Sequence, residues 1–268
     1  MSAPKVIIMS GYGLNSELES KVAFCRAGAE VEIVHINDLI DGHKKLLDYQ
    51  IFMVPGGFSF GDDTGSGNAY ANRIKNNLGA ELAKFMQEDR LVIGVCNGFQ
   101  VLVNLGLLPG FDNDYTQRKI ALMPNTSAHV ECRWVKIRPV SQQCVWLKNL
   151  QDMHVPIAHG EGRLTTDTET LQRLKDQDQI AFQYVDEKGN LAQGKFPANP
   201  NGATEDIAGV CDETGRVLGL MPHPERTLSF FNEEGWTRKK EQLLREGQEL
   251  PTVGIGQAIF ENGVKYFK

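Results

Sequence analysis

The ten residues Leu91-Val-Ile-Gly-Val-Cys96-Asn-Gly-Phe-Gln100 limit what this chain can fold into more than any other stretch. Leu91 to Val95 form an apolar run bounded by Asp89 and Arg90, the signature of a short buried strand. Beyond Cys96, the residues Phe99, Val101, Leu102, Val103 and Leu105 suit a helix that stops at Gly106. Cys96 therefore falls at a strand-to-helix turn inside Gly94-x-Cys96-x-Gly98, the spacing of a nucleophile elbow with cysteine in the serine position. Such a turn brings two backbone segments so close that a Cβ on either flank obstructs it, hence the glycines. The helix points its positive end at the sulfur and lowers a thiol pKa. A free cysteine is more often an inert core residue; the paired glycines favour the reactive reading.

The rest of the chain supplies the sheet that such an elbow needs. Lys5 to Met9 reads as a buried strand, Val31 to His35 and Ile51 to Val54 as two more strands, and Val217 to Met221 as the last clear one. Asn15-Ser16 is placed to cap a helix with Leu18, Val22, Ala23 and Ala27 on its inner face, ending at Gly28. Ala69 to Glu88 carries Ile74, Leu78, Leu82 and Phe85 at helical spacing. Lys119 to Met123 and the second half of Pro124 to Val135 are further strand candidates, and Gly256 to Lys268 a terminal helix. This alternation predicts an α/β fold: an open, mostly parallel twisted sheet with helices on both faces. Ligands of such sheets sit beyond the carboxyl ends of the strands, where the Pro55-Gly56-Gly57 loop, Cys96 and Pro222-His223 all fall. No repeat or linker divides the chain, so residues 1–268 read as one domain. The charged stretch from Leu228 to Val253 reads as an exposed excursion, and Pro197 to Asp206 as a surface loop.

Composition narrows the function. With 268 residues, 41% of them hydrophobic and 23% charged, the chain is long enough for a full core. A formal charge of −6 argues against a general nucleic-acid binder, which presents a basic face. The cysteines at 25, 96, 132, 144 and 211 form no CxxC pair, so neither a zinc site nor a disulfide framework is expected. A reducing, cytoplasmic setting fits them. No apolar run approaches the ~20 residues of a membrane span, so no membrane is expected as a partner.

Three loops then assemble a chemistry. Gly56 and Gly57 let the backbone turn N–H groups toward an anion. Asp62 and Asp63, without further ligands, read as a solvated turn, and no metal is assigned to them. His129 and Cys132, three apart on a presumed strand, face opposite ways and are set aside as a pair. Pro222-His223-Pro224-Glu225 is stiffened by its prolines, and residues two apart in extended chain share a side. The parts describe cysteine-dependent acyl transfer, with Cys96 as nucleophile, His223 as proton relay and Glu225 orienting the imidazole. Backbone N–H groups of Gly57 and Asn97 would hold the oxyanion, each such donor worth about 2.7–4 kcal/mol in the transition state. The loop His159-Gly-Glu161-Gly-Arg163 is polar and compact, with either a functional or a structural role open to it.

Taken together, Pro55-Gly-Gly57, Gly94-Val-Cys96-Asn-Gly98-Phe-Gln100 and Pro222-His223-Pro-Glu225 resemble the class I, or triad, glutamine amidotransferases, in that family's order. Pro55-Gly-Gly-Phe-Ser-Phe-Gly-Asp62, Glu131-Cys-Arg-Trp134, Pro156-Ile-Ala-His-Gly-Glu-Gly-Arg163 and Met221-Pro-His-Pro-Glu-Arg226 look most like its branch of glutaminase subunits serving phosphoribosylformylglycinamidine synthases. The resemblance implies a flavodoxin-like sheet and hydrolysis of glutamine through a γ-glutamyl thioester on Cys96. It implies transfer of the ammonia to a synthetase subunit that uses ATP and magnesium, with a small bridging subunit as a further partner and no cofactor in this chain. It also implies that Gln100 holds the α-groups of glutamine and that Phe58, Ser127 and His129 shape the pocket. Two other classes remain open on the residues: a cysteine amidase or peptidase on the same elbow, and a non-catalytic subunit that keeps the fold. A glutaminase serving another acceptor also stays open.

Overall fold

The computed structural model describes residues 3–268. Its first strands, β1 (Lys5–Ser10) and β2 (Glu30–His35), pair in parallel and are joined by helix α1 (Glu17–Arg26). A short helix, α2 (Ile36–Ile40), leads away from β2. On the other side of β1 lie β3 (Ile51–Val54) and β4 (Leu91–Val95), joined by α3 (Asn68–Gln87), and then β11 (Val217–Leu220), all parallel. Every residue of β3, β4 and β11 is buried, as expected of strands covered on both faces. The step from β1 to β2 runs one way across the sheet and that from β3 to β4 the other. Right-handed crossovers therefore put α1 and α3 on opposite faces. Helix α4 (Asn97–Leu105) packs with α3, and the terminal α7 (Gln257–Lys265) packs with α1.

Beyond β11 the sheet changes character. It continues antiparallel through β10 (Ile207–Cys211), β9 (Ile180–Val185) and β6 (Glu131–Pro139) to the edge strand β7 (Met153–His159), giving nine strands in the order β2-β1-β3-β4-β11-β10-β9-β6-β7. The parallel half is the part read from the sequence; the antiparallel extension adds to it. β5 (Ala121–Met123) leaves this sheet and pairs with β8 (Arg163–Thr165), followed by α5 (Thr168–Asp176).

Two local readings change. On α1 the buried positions are Ser20, Ala23 and Phe24, whereas Leu18 is 70% and Val22 44% exposed. Phe24 decides this, since its ring meets Phe260 and Trp146 edge-on and turns its own side of the helix inward. Pro197 to Asp206 is not a surface loop throughout: Asn199, Asn201 and Asp206 are buried. The Asp206 carboxylate accepts the N–H groups of Gln193 and Gly194 and the Asn199 amide, which satisfies these polar groups internally. The excursion after Leu228 does carry an exposed helix, α6 (Trp236–Arg245), with no buried residue.

Candidate active site

Cys96 lies between β4 and α4 with φ 52° and ψ −109°, a conformation that costs a non-glycine residue about 1–3 kcal/mol. Its N–H donates to the Leu220 carbonyl at 2.8 Å, and its own carbonyl accepts the Gln100 N–H at 3.1 Å. The flanking glycines are required by contact. A Cβ on Gly94 would stand 2.6 Å from the Gly98 carbonyl oxygen, and one on Gly98 would strike the Val54 carbonyl. The sulfur is buried at the amino end of α4.

β11 runs beside β4 in the same direction and so delivers His223 to the same end of the sheet. His223 Nδ1 and Glu225 Oε1 are 2.5 Å apart, and both side chains are buried. They meet across the tight turn Pro224–Arg226 rather than along extended chain, so the prolines act by bending the segment. Burial alone would push His223 down. The Glu225 carboxylate and the Cys96 sulfur more than offset it, and its pKa is raised to about 10. The imidazole is thus held as a cation facing the sulfur.

The far edge of the sheet curls back to close the site. Pro156 of β7 accepts the His223 N–H at 2.9 Å, and the Ala158 carbonyl accepts from the Cys96 thiol at 3.8 Å. The next residue, His159, is buried, and burial, reinforced by the charge of His223, lowers its pKa to about 3. In the sequence Ala158 and His159 stand out only within the stretch from Pro156 to Arg163, one of the motifs behind the family resemblance, and the burial of His159 depends on contacts far from it along the chain, such as that with Asn125.

Of the two oxyanion donors expected from the sequence, Gly57 lies where β1 and β3 end, the point at which the strand order reverses, and Asn97 lies one strand over, beyond β4. Asn15 N–H donates to Gly56 O at 2.9 Å and Phe58 N–H to Gly13 O at 2.9 Å, an arrangement in which the Gly57 N–H takes no part. Gly57 has φ 152°, and a Cβ there would lie 2.6 Å from Leu14 Cα. Asn97 is the first residue of α4, so its N–H is one of the donors a helix leaves free. Its side chain accepts from Ser59 N–H and donates to Asp62 and to Gln100, tying the 59–62 loop to the elbow. Burial, with the carboxylates of Glu161 and Asp63 adding to it, holds Asp62 above the usual carboxylate range against the bonds from Ser66 and Asn97.

Gln100 is buried, donating to Glu161 O at 2.6 Å and accepting from Asn97 at 2.8 Å, and it lines a polar cleft of about 320 Å³ with Ser66, Asn104, Arg118 and Glu161. Phe58 is 42% exposed on the adjacent loop. Ser127 and His129 sit on a turn before β6, bonded to each other, and no hydrogen bond among the described residues joins either side chain to Cys96, His223 or Glu225. The turn reaches the site through Asn125, a residue the sequence did not single out, which bonds the carbonyls of His129 and His159.

A strained thiol, a buried histidine–carboxylate pair and free backbone N–H groups at one sheet end can form and resolve an acyl-enzyme. The family model for a CobB/CobQ-like glutamine amidotransferase domain matches residues 3–267. Phosphoribosylformylglycinamidine synthase subunit PurQ of Methanococcus maripaludis is 54% identical, the match covering 98% of this chain and 97% of that one. The PurQ subunit of Dehalococcoides mccartyi is 39% identical over 99% and 98%. Among solved structures, a chain of PurLQS from Thermotoga maritima superposes with a TM-score of 0.72 at 28% identity, covering 99% of this chain and all of that one. Matched nearly end to end by the family model and by relatives of this identity, the chain belongs to the CobB/CobQ-like glutamine amidotransferase family.

Proposed function

We propose that this chain is the glutaminase subunit of a phosphoribosylformylglycinamidine synthase, releasing ammonia from L-glutamine for de novo purine biosynthesis. The observation that carries this reading is the buried His223–Glu225 pair facing a Cys96 held on a strained elbow, in a chain 54% identical to a PurQ subunit. Cys96 attacks the γ-carbonyl as a thiolate. The oxyanion that forms takes hydrogen bonds from the N–H groups of Gly57 and Asn97. His223, charged at neutral pH, gives its proton to the departing nitrogen, and the C–N bond breaks to leave ammonia and a γ-glutamyl thioester. Water, deprotonated by the now neutral His223, then cleaves the thioester to glutamate and free Cys96. Gln100 and the cleft beside Glu161 receive the α-groups of glutamine, with Phe58, Ser127 and His129 at the periphery.

The ammonia passes to a synthetase subunit, which consumes ATP with magnesium to convert formylglycinamide ribonucleotide to formylglycinamidine ribonucleotide, with a small bridging subunit completing the assembly. The chain itself uses no cofactor in this scheme and works in the cytoplasm; among the described residues no helix is long and apolar enough to cross a membrane. The test is glutamate release by the chain mixed with such a synthetase, ATP and acceptor. Glutamine-dependent product should appear, and Cys96→Ala should lower it by at least about 10⁴-fold while added ammonia still supports synthesis. Cys96-dependent hydrolysis indifferent to this synthetase would move the chain to another acceptor.

A further inference from the structure

Two loops meet beyond β1 and β3, and the reaction scheme uses only the second. That loop, which carries Gly57, is anchored twice on the catalytic side. A Cβ on Gly56 would stand 2.7 Å from His223 Cε1, so this residue lies against the catalytic imidazole. The Ser59 N–H donates to Asn97 Oδ1 at 3.3 Å. Gly57 sits between these two contacts. On its other side the loop is bonded to residues 12–16, which follow β1. Asn15 and Ser16 donate to the Gly56 carbonyl, Phe58 donates to the Gly13 carbonyl at 2.9 Å and Phe60 to the Tyr12 carbonyl at 2.7 Å. Leu14 and Gly57 face each other in this antiparallel pairing without exchanging a hydrogen bond, so the Gly57 N–H points away from residues 12–16.

Tyr12 ends the pairing. Its ring stacks on that of Phe60, with centroids 4.7 Å apart and planes 11° apart. Its hydroxyl donates to Asn37 Oδ1 at 3.2 Å, an oxygen that also accepts from Arg73 Nη2 at 2.7 Å. The Arg73 guanidinium lies 4.9 Å from the centroid of the Tyr12 ring. Tyr12 thereby ties Phe60 to α2 and α3. Tyr12 and Phe60 have φ 56° and 53°, a left-handed conformation that non-glycine residues keep only where their surroundings enforce it. Removing the ring frees Phe60 to relax, and the loop with it.

We propose that Tyr12 is a positioning residue for the oxyanion hole: through Phe60 it holds the 56–60 loop so that the Gly57 N–H is turned toward the Cys96 elbow. The inference rests on the glutaminase reading and on the role that reading gives Gly57. Among the described residues Tyr12 makes no hydrogen bond to Cys96, His223 or Glu225, and its effect falls on the tetrahedral intermediates, where the oxyanion takes its bond from Gly57.

The test compares two reactions of Cys96 in the chain assembled with its synthetase. One is glutamine hydrolysis, which passes through an oxyanion. The other is thiol exchange with methyl methanethiosulfonate. There the Cys96 sulfur bonds the methylthio sulfur, methanesulfinate leaves and no oxyanion forms; mass spectrometry of the Cys96 peptide reads the rate. Both reactions need a folded, ionised Cys96, so their ratio cancels general damage. In Tyr12→Ala, kcat for glutamine should fall by about tenfold or more, part of the roughly 10²–10³ that losing an oxyanion donor costs. KM and the exchange rate should stay within about threefold, because the lost interaction is made only in the transition state. Tyr12→Phe keeps the stack and should stay within about threefold of wild type in all three quantities. An equal fall of kcat and exchange rate in Tyr12→Ala, an unchanged kcat, or a rise in KM alone would overturn the proposal. A wild-type assembly that exchanges its thiol yet releases no glutamate from glutamine would overturn the glutaminase reading, and the proposal with it.

Discussion

Because Glu225 and Cys96 stabilise the His223 imidazolium more than burial penalises it, activity and stability both inherit a pKa near 10. A histidine whose folded pKa lies above its unfolded value of about 6.5 stabilises the native state fully below pH 6.5. That contribution fades as pH rises through about 10. Glutaminase kcat/KM should therefore keep its alkaline limb near pH 10, the charged imidazole being needed to protonate the leaving nitrogen. Glu225→Gln removes the carboxylate that does most to oppose burial, so the limb should move by at least about one pH unit toward neutrality, and melting temperature should fall less steeply between pH 7 and 10 than in wild type. A pH–rate profile with the limb unmoved would sink this account. Cys96, His223 and Glu225 were legible because their spacing and flanking glycines and prolines are local. The state of His159 was not, since its tautomer is dictated by Asn125, which reaches it through a fold no short motif records.

At the scale of elements, α4 rests on β3 and β4 with backbone touching backbone at Gly98 and Gly94. Gly98→Ala should push the helix off the Val54 carbonyl and destabilise the chain by about 1–3 kcal/mol despite the better helix propensity of alanine, a change that urea unfolding would register. Phe24→Ala on α1 should cost about 3–5 kcal/mol, whereas Leu18→Ala on the same helix should stay within about 0.5 kcal/mol. Equal losses at the two positions would contradict the buried face described for α1. That face was hard to read because Ser20 sits in it while Leu18 and Val22 lie outside. Of the parallel strands, β1, β3, β4 and β11 were legible as apolar runs, whereas the half-buried edge strand β2 keeps Glu32 within it. β7 was not legible: its burial alternates, but its sequence Met-His-Val-Pro-Ile-Ala-His shows no polar–apolar alternation and includes Pro156, which only an edge strand tolerates.

Over the whole molecule, the charged excursion is closed off at its base. Gly254 N–H donates to the Leu228 carbonyl at 3.0 Å and Gly256 N–H to Thr227 at 3.0 Å, so the ends of the insertion already meet. Its helix α6 buries nothing. Replacing residues 233–250 by a short Gly-Ser linker should therefore shift the melting temperature by only about 1–2 °C, and a larger fall in a thermal scan would mean that the excursion supports the core. The curled sheet has a consequence of another kind, in the life of the polypeptide during its own synthesis. The thiol of Cys96 leaves the ribosome well before the Ala158 wall and the His223 base are made. Until those segments arrive the sulfur has neither the proton relay nor the closing wall beside it, so a half-made chain squanders no glutamine, and truncated chains ending before His223 should react far more slowly with a glutamine-like electrophile than the finished protein does.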